Sequence, residues 1–320
     1  MSQISPPRPS RSNPVQRRLP WLYAFWKFSR PHTIIGTTLS VLGIYGIVLS
    51  LNPASLSLPS FLSLVLLPLF TCLCGNVYIV GLNQLEDVAI DKINKPHLPL
   101  ASGEFSRREG QAIVLITGLL ALILSAVQGV FLMAMVWLSL AIGTAYSLPP
   151  IRLKRFPFWA SVCIFTVRGA IVNLGLFLHM NQKLGGSFGI PAPVWVLTLF
   201  VLVFTFAIAI FKDIPDLEGD RLYHITTFTM RLGQKAVFNL ARWVITICYG
   251  GMIVAAPFLA GVNTGFLIVT QSIALMSLWV LSYRVDLREK ESIARFYQFI
   301  WKLFFLEYLV FPAACLMHQG

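Results

Sequence analysis

Nine long apolar stretches recur along this chain, at residues 31–51, 60–86, 110–128, 130–146, 157–180, 193–211, 237–260, 264–283 and 296–316. A helix that crosses a bilayer needs about 20 such residues, so the pattern predicts an all-α, polytopic membrane protein with nine spans. Ahead of them, Trp21-Leu22-Tyr23-Ala24-Phe25-Trp26-Lys27-Phe28 reads as an amphipathic helix lying on the membrane surface. The Ser/Pro/Arg-rich tail before it lacks the apolar core of a cleaved signal and is short for a transit peptide. Residues 1–30 are therefore expected to be a basic tail with an interfacial helix, and 31–320 a single transmembrane domain.

Composition agrees. Hydrophobic residues make up 56%, charged residues 12%, and mean hydropathy is +0.73. A soluble domain carries roughly 25% charged residues, so a water-soluble enzyme and a disordered chain are both excluded. The five cysteines suit packing rather than a disulfide scaffold, Cys72-x-Cys74 included.

The formal charge of +12 would suggest nucleic acid in a soluble protein. Here the basic residues serve topology. Twenty-three of the 25 Lys and Arg lie in the tail, in connections 2–3, 4–5, 6–7 and 8–9, or in the first two turns of the helix that follows. Only Lys183 and Arg168 fall elsewhere. By the positive-inside rule the N-terminus and these connections are cytoplasmic, and no nucleic-acid partner is expected.

Acidic residues carry the chemistry. Of thirteen, only Glu307 sits inside an apolar run, where it has no evident role, and seven fall in two short stretches. The first stretch holds Asn83, Asp87 and Asp91 at i, i+4, i+8, which occupy a helical arc of roughly 80°. The second holds Asp213, Asp216 and Asp220, an arc of about 60° on an unbroken helix, although Pro215 disfavours helix at Ile214. Carboxylates sharing a face repel unless a cation neutralises them. Hard oxygen ligands without His or Cys favour Mg²⁺ or Ca²⁺, and Mg²⁺ completes its shell with phosphate oxygens. Two such clusters can grip a diphosphate through Mg²⁺, with Lys92, Lys95, Arg152, Lys154, Lys212 and Arg221 nearby to hold it directly.

These two motifs resemble the paired aspartate motifs of the UbiA-type intramembrane prenyltransferases, over about residues 30–316. Segments beginning Arg30-Pro31-His32-Thr33, Asn94-Lys95-Pro96-His97, Tyr146-Ser147-Leu148-Pro149-Pro150 and Lys212-Asp213-Ile214-Pro215 are similar to the homogentisate prenyltransferase branch. The resemblance implies the nine-helix UbiA bundle. It also implies an allylic diphosphate donor, phytyl in the tocopherol branch, ionised with the help of Mg²⁺ and transferred to an aromatic acid with loss of CO₂ and diphosphate. By the same resemblance Asn83, Asp87, Asp91, Asp213, Asp216 and Asp220 hold the metal. Lys95 and Tyr146 join the catalytic set, and Lys92, Lys154, Lys212 and Arg221 bind the diphosphate. Gln84 departs from the Asp that many relatives carry after the motif's Asn, but it lies off the Asn83 face.

Arg168 lies midway along the fifth stretch, where a charge is expensive and functional by default; its expected role is to bind a substrate anion. Asn173 is its alternative polar neighbour. Tyr146 suits either a hydrogen bond to diphosphate or an interfacial anchor. His32, His97 and His224 are not assigned as bases. Within the class, a solanesyl or geranylgeranyl donor, or chlorophyllide or 4-hydroxybenzoate as acceptor, is the alternative. A transporter would place carboxylates at mid-membrane, and these cluster at one surface. Protein partners are not readable, and a cyanobacterial membrane is the expected setting.

Overall fold

The computed structural model describes residues 18–52, 58–186, 189–215, 217, 222 and 227–319. Among them nine helices are long and apolar enough to cross a membrane: Pro31–Leu51, Leu62–Glu86, Arg107–Gln128, Val130–Ser147, Pro157–Lys183, Ala192–Phe211, Gln234–Phe258, Thr264–Ser282 and Lys290–Leu316. They are numbered here as the first to ninth spans. Most boundaries lie within three residues of those expected. The ninth begins six residues earlier, because its polar first turns stay helical outside the apolar zone, with Glu291 and Arg295 paired at i,i+4. The third begins at a capping box, in which Ser106 and Glu109 satisfy each other's backbone N–H groups.

Successive spans pack side by side, and the ninth returns to pack along the first, so the bundle closes into a ring. The sixth span is the most enclosed; the eighth faces mainly outward. On the third span, Leu115, Ile116, Leu119, Ile123 and Val127 form an exposed apolar stripe. In water such a surface invites aggregation; in a bilayer it is the lipid face. The surface helix Pro20–Phe28 buries Ala24 and Phe28 and leaves Trp21, Leu22 and Trp26 exposed, as its amphipathic pattern requires.

Three internal features position the site. The fifth span carries a π-helical stretch, Thr166–Ile171, with Arg168 in it. The widened turn is closed by Asn173, whose amide donates to Gly169 O at 2.9 Å and accepts from Tyr308 Oη at 2.8 Å. Asn173 thus serves the backbone and the ninth span, and does not partner Arg168. Gly169 also lets the fifth and sixth spans touch: a Cβ there would lie 2.5 Å from Leu202 Cα. Finally, the buried Glu307 accepts from Gln271 Nε2 at 3.0 and 2.9 Å on its two oxygens, tying the ninth span to the eighth.

Candidate active site

The first motif straddles a kink. The second span ends at Glu86, and Asp87 (φ −110°, ψ 15°) joins it to a short helix, Val88–Asn94. The i→i−4 bonds survive the bend, Asp87 N to Asn83 O at 3.1 Å and Asp91 N to Asp87 O at 2.7 Å. Asn83, Asp87 and Asp91 therefore line one cavity of about 980 Å³ at the charged end of the bundle. From across it come Lys212 and Asp213, 3.8 Å apart, where the sixth span ends. Asp216, Asp220 and Arg221 lie outside the described residues, as do Glu218 and His224.

A chain of donors runs over the first motif. Arg30 Nη2 donates to Asn83 Oδ1 at 3.3 Å, and Asn83 Nδ2 donates to Asp87 Oδ2 at 3.0 Å. Arg152 Nη2 donates to Asp87 Oδ1 at 3.1 Å and Lys154 Nζ to Asp87 Oδ2 at 2.7 Å. One carboxylate thus carries two cations. Burial lowers the Lys154 ammonium from its usual range, and Asp87 opposes that shift. Arg30 and Arg152 are the two non-glycine residues with positive φ among those described, at 53° and 41°. Such backbone costs about 1–3 kcal/mol per residue, and here it delivers a guanidinium to the motif at each corner.

Lys95, Lys154 and Tyr146 line the same cavity. Tyr146 Oη accepts from Lys212 Nζ at 3.2 Å, and the ammonium stands 5.9 Å from the ring centroid. His97 also faces the cavity; burial first, then Lys27, Lys95 and Arg30, hold its imidazole below the usual range, so it stays neutral at pH 7. Lys92 points elsewhere: it lines a separate groove with Glu86, Val88 and Arg107. It follows Asp91 directly, and one residue rotates a helical side chain by about 100°. Arg30 was not singled out in the sequence, because its partner Asn83 is 53 residues away. The pairing of Arg30 with Pro31 at a span's start, where the chain must turn, is the one local signal.

Gln84 has a use of its own. Fully buried, its Nε2 donates to Phe28 O at 2.7 Å and to Val80 O at 3.3 Å. It pins the end of the surface helix two residues before Arg30. The motif's Gln84 thus fixes the corner that presents Arg30.

Beyond the charged mouth the cavity continues inward. A chamber of about 280 Å³ shares Arg30, His32, Asn83, Tyr146 and Lys212 with the mouth and is lined further in by Arg168, Thr205 and Trp301 among others. The donor set fits a hard cation, since Asn83, Asp87, Asp91 and Asp213 all offer oxygen. Among the described residues no three His, Cys, Asp or Glu side chains converge tightly enough to hold a metal by themselves. A cationic rim over carboxylates, opening into a largely apolar chamber, can hold a diphosphate at the surface and shield a reactive carbon inside.

The comparisons converge on one family. The profile of the UbiA prenyltransferase family matches residues 33–303. The chain is 53% identical to homogentisate phytyltransferase of Synechocystis sp., over 92% of this chain and 96% of that one. It is 38% identical to homogentisate solanesyltransferase of Arabidopsis thaliana, over 90% and 76%. Among solved structures, a UbiA homologue from Archaeoglobus fulgidus bound to GPP and Mg²⁺ superposes with a TM-score of 0.59 at 16% identity, covering 91% of this chain and 99% of that one. The nine-span ring, the motif-lined cavity and these matches together place the chain in the UbiA prenyltransferase family.

Proposed function

We propose that the protein transfers a phytyl group from its diphosphate to homogentisate, releasing CO₂ and diphosphate and leaving a methyl-phytyl-benzoquinol. The observation that carries this reading is the junction of a cation-rimmed carboxylate cluster with an apolar inner chamber. The phytyl donor is favoured by the 53% identity to the phytyltransferase over nearly the whole of both chains, against 38% to the solanesyl enzyme.

In this reading Asn83, Asp87, Asp91 and Asp213, with Asp216 and Asp220, would hold Mg²⁺, the ion bound with GPP in the Archaeoglobus fulgidus homologue. Bound there, Mg²⁺ supplies charge that stabilises the departing diphosphate. The chain's own groups do the rest. Arg30, Arg152, Lys154 and Lys95 stand where they can bind the diphosphate oxygens, and Lys212, poised against Tyr146, adds a further donor. The apolar walls exclude water from the allylic cation. One ring C–H is replaced by the new C–C bond; the proton it yields balances the one that the side-chain methylene gains as CO₂ leaves. The N-terminus and the mouth face the cytoplasm by the charge pattern, in a cyanobacterial membrane. Residues 31–320 act as one transmembrane unit behind a basic tail.

Detergent-purified protein is expected to turn over homogentisate with phytyl diphosphate at a higher kcat/KM than with solanesyl diphosphate. The opposite order, measured with labelled homogentisate and equal donor concentrations, would move the chain to the solanesyl branch. Gln84→Leu tests the cationic rim. It removes the bond to Phe28 O, with a stability loss of about 1 kcal/mol, and loosens Arg30. The KM for prenyl diphosphate should rise several-fold while that for homogentisate holds. Equal changes in both constants would place Gln84 in packing alone.

A further inference from the structure

Three donors on residues that line the inner chamber have no acceptor. Arg168, in the π-helical turn of the fifth span, has its guanidinium carbon 5.3 Å from the Trp301 ring centroid and 5.8 Å from that of Phe304. Among the described residues it makes no hydrogen bond and no ion pair. Trp301 Nε1 on the ninth span and Thr205 Oγ1 on the sixth are buried and unpaired as well. All three residues line the same chamber.

Space has been kept for the guanidinium. A Cβ on Gly36 of the first span would stand 2.8 Å from Arg168 Nη1. Because side chains lean toward the N-terminus of their helix, Arg168 reaches toward the charged mouth rather than toward the far end. A guanidinium keeps its proton in a protein, and contact with aromatic faces offsets only part of its lost hydration. An anion is needed. The mouth already presents Arg30, Arg152 and Lys154 to a diphosphate. About 280 Å³ is room for a single-ring molecule but not for a C20 chain as well.

We propose that this chamber is the acceptor subsite, that Arg168 binds the carboxylate of a single-ring hydroxy acid through its two-pronged fork, and that Trp301 and Thr205 donate to its remaining oxygens. The assignment rests on the aromatic-acid reading above and adds where and how the acid is held. A carboxylate matches the planar fork, and hydroxyl oxygens match the two neutral donors. Lysine at this position would keep the charge and lose the fork.

The test separates the two substrates. In Arg168→Met the KM for homogentisate should rise at least thirtyfold, with the KM for prenyl diphosphate within twofold of the parent. Arg168→Lys should recover less than a tenth of the lost affinity. 2-Methylhydroquinone, which is homogentisate without its carboxylate, should inhibit the parent and Arg168→Met with the same Ki, whereas Thr205→Val should weaken it several-fold. A rise confined to the prenyl diphosphate, or an equal loss of inhibition by 2-methylhydroquinone in Arg168→Met, overturns the assignment. Should Arg168→Met fail to fold, Gly36→Ala displaces the guanidinium while keeping it, and must raise the homogentisate KM alone. Fluorescence titration of the parent with homogentisate gives a reading without turnover: quenching that Trp301→Phe abolishes supports the subsite, and quenching that persists in that variant rejects it. If the parent binds homogentisate yet does not prenylate it, the functional reading fails and the subsite stands.

Discussion

Asp87→Asn is expected to lower kcat/KM about a thousandfold while the protein stays folded. That factor corresponds to about 4 kcal/mol of lost transition-state stabilisation, within the range for deleting a group that stabilises a developing anion. The substitution keeps shape and hydrogen-bonding capacity but removes the charge on which Arg152 and Lys154 converge. It therefore removes a ligand charge and releases two cations at once. Both cations border an open cavity, so stability should suffer little. A shift in thermal midpoint of no more than about 5 °C is expected in detergent. Lys154→Met, which removes one cation and leaves the carboxylate, should cost only about tenfold in kcat/KM. Chelation of divalent ions should abolish turnover in the parent, and added Mg²⁺ should restore it. Near-normal rates in Asp87→Asn, or full activity under chelation, would remove the metal–diphosphate assignment.

The second large effect is on the fold. Gly169→Ala should destabilise the bundle by about 3 kcal/mol, the upper part of the range for overpacking. The added carbon would meet Leu202 Cα at 2.5 Å, and a backbone atom in a packed helix has no rotamer into which to retreat. The fifth and sixth spans must separate, or the π-helical turn must rewind. Rewinding would turn Arg168 out of its place between Trp301 and Gly36. Gly250 on the seventh span meets nothing within 4 Å at its Cβ position, so Gly250→Ala is the matched control and should melt like the parent. Equal melting temperatures for the two variants would show that the close approach carries no weight.

How far the sequence went can be read from particular residues. Spans were legible because lipid demands an uninterrupted run of apolar residues, and charge marked the mouth because basic residues resist translocation. Asn83, Asp87 and Asp91 were legible because i, i+4 spacing survives the kink at Asp87. Lys92 shows the limit: nearness in sequence to Asp91 suggested a shared site, yet the helix turns it into another groove. Arg152 was legible as a basic neighbour of the site, but its contact with Asp87, 65 residues away, was not, and Arg30, held by left-handed backbone 53 residues from Asn83, left only its pairing with Pro31 as a sign. Glu307 had no visible partner because Gln271 lies 36 residues earlier, on another span. The π-helical turn around Arg168 depends on Asn173 and on Tyr308, which is 135 residues further along.

Closure of the ring by its first and last members also sets an order of events in biosynthesis. The first span enters the bilayer while the ninth has yet to be translated, so its contact face, Gly43 and Gly46 against Tyr308 and Pro312, waits for most of the synthesis without its partner. Trp301, which lines the chamber, and Phe304, whose ring also stands near the Arg168 guanidinium, arrive with the ninth span. Docking of the ninth span on the first joins distant parts of the chain, which adds an entropic barrier to the final step of closure. Before the ninth span docks, the polypeptide exposes a carboxylate cluster and a buried cation without a sealed compartment between them. The chamber therefore has no complete wall until the ninth span, translated long after the first, has docked on it.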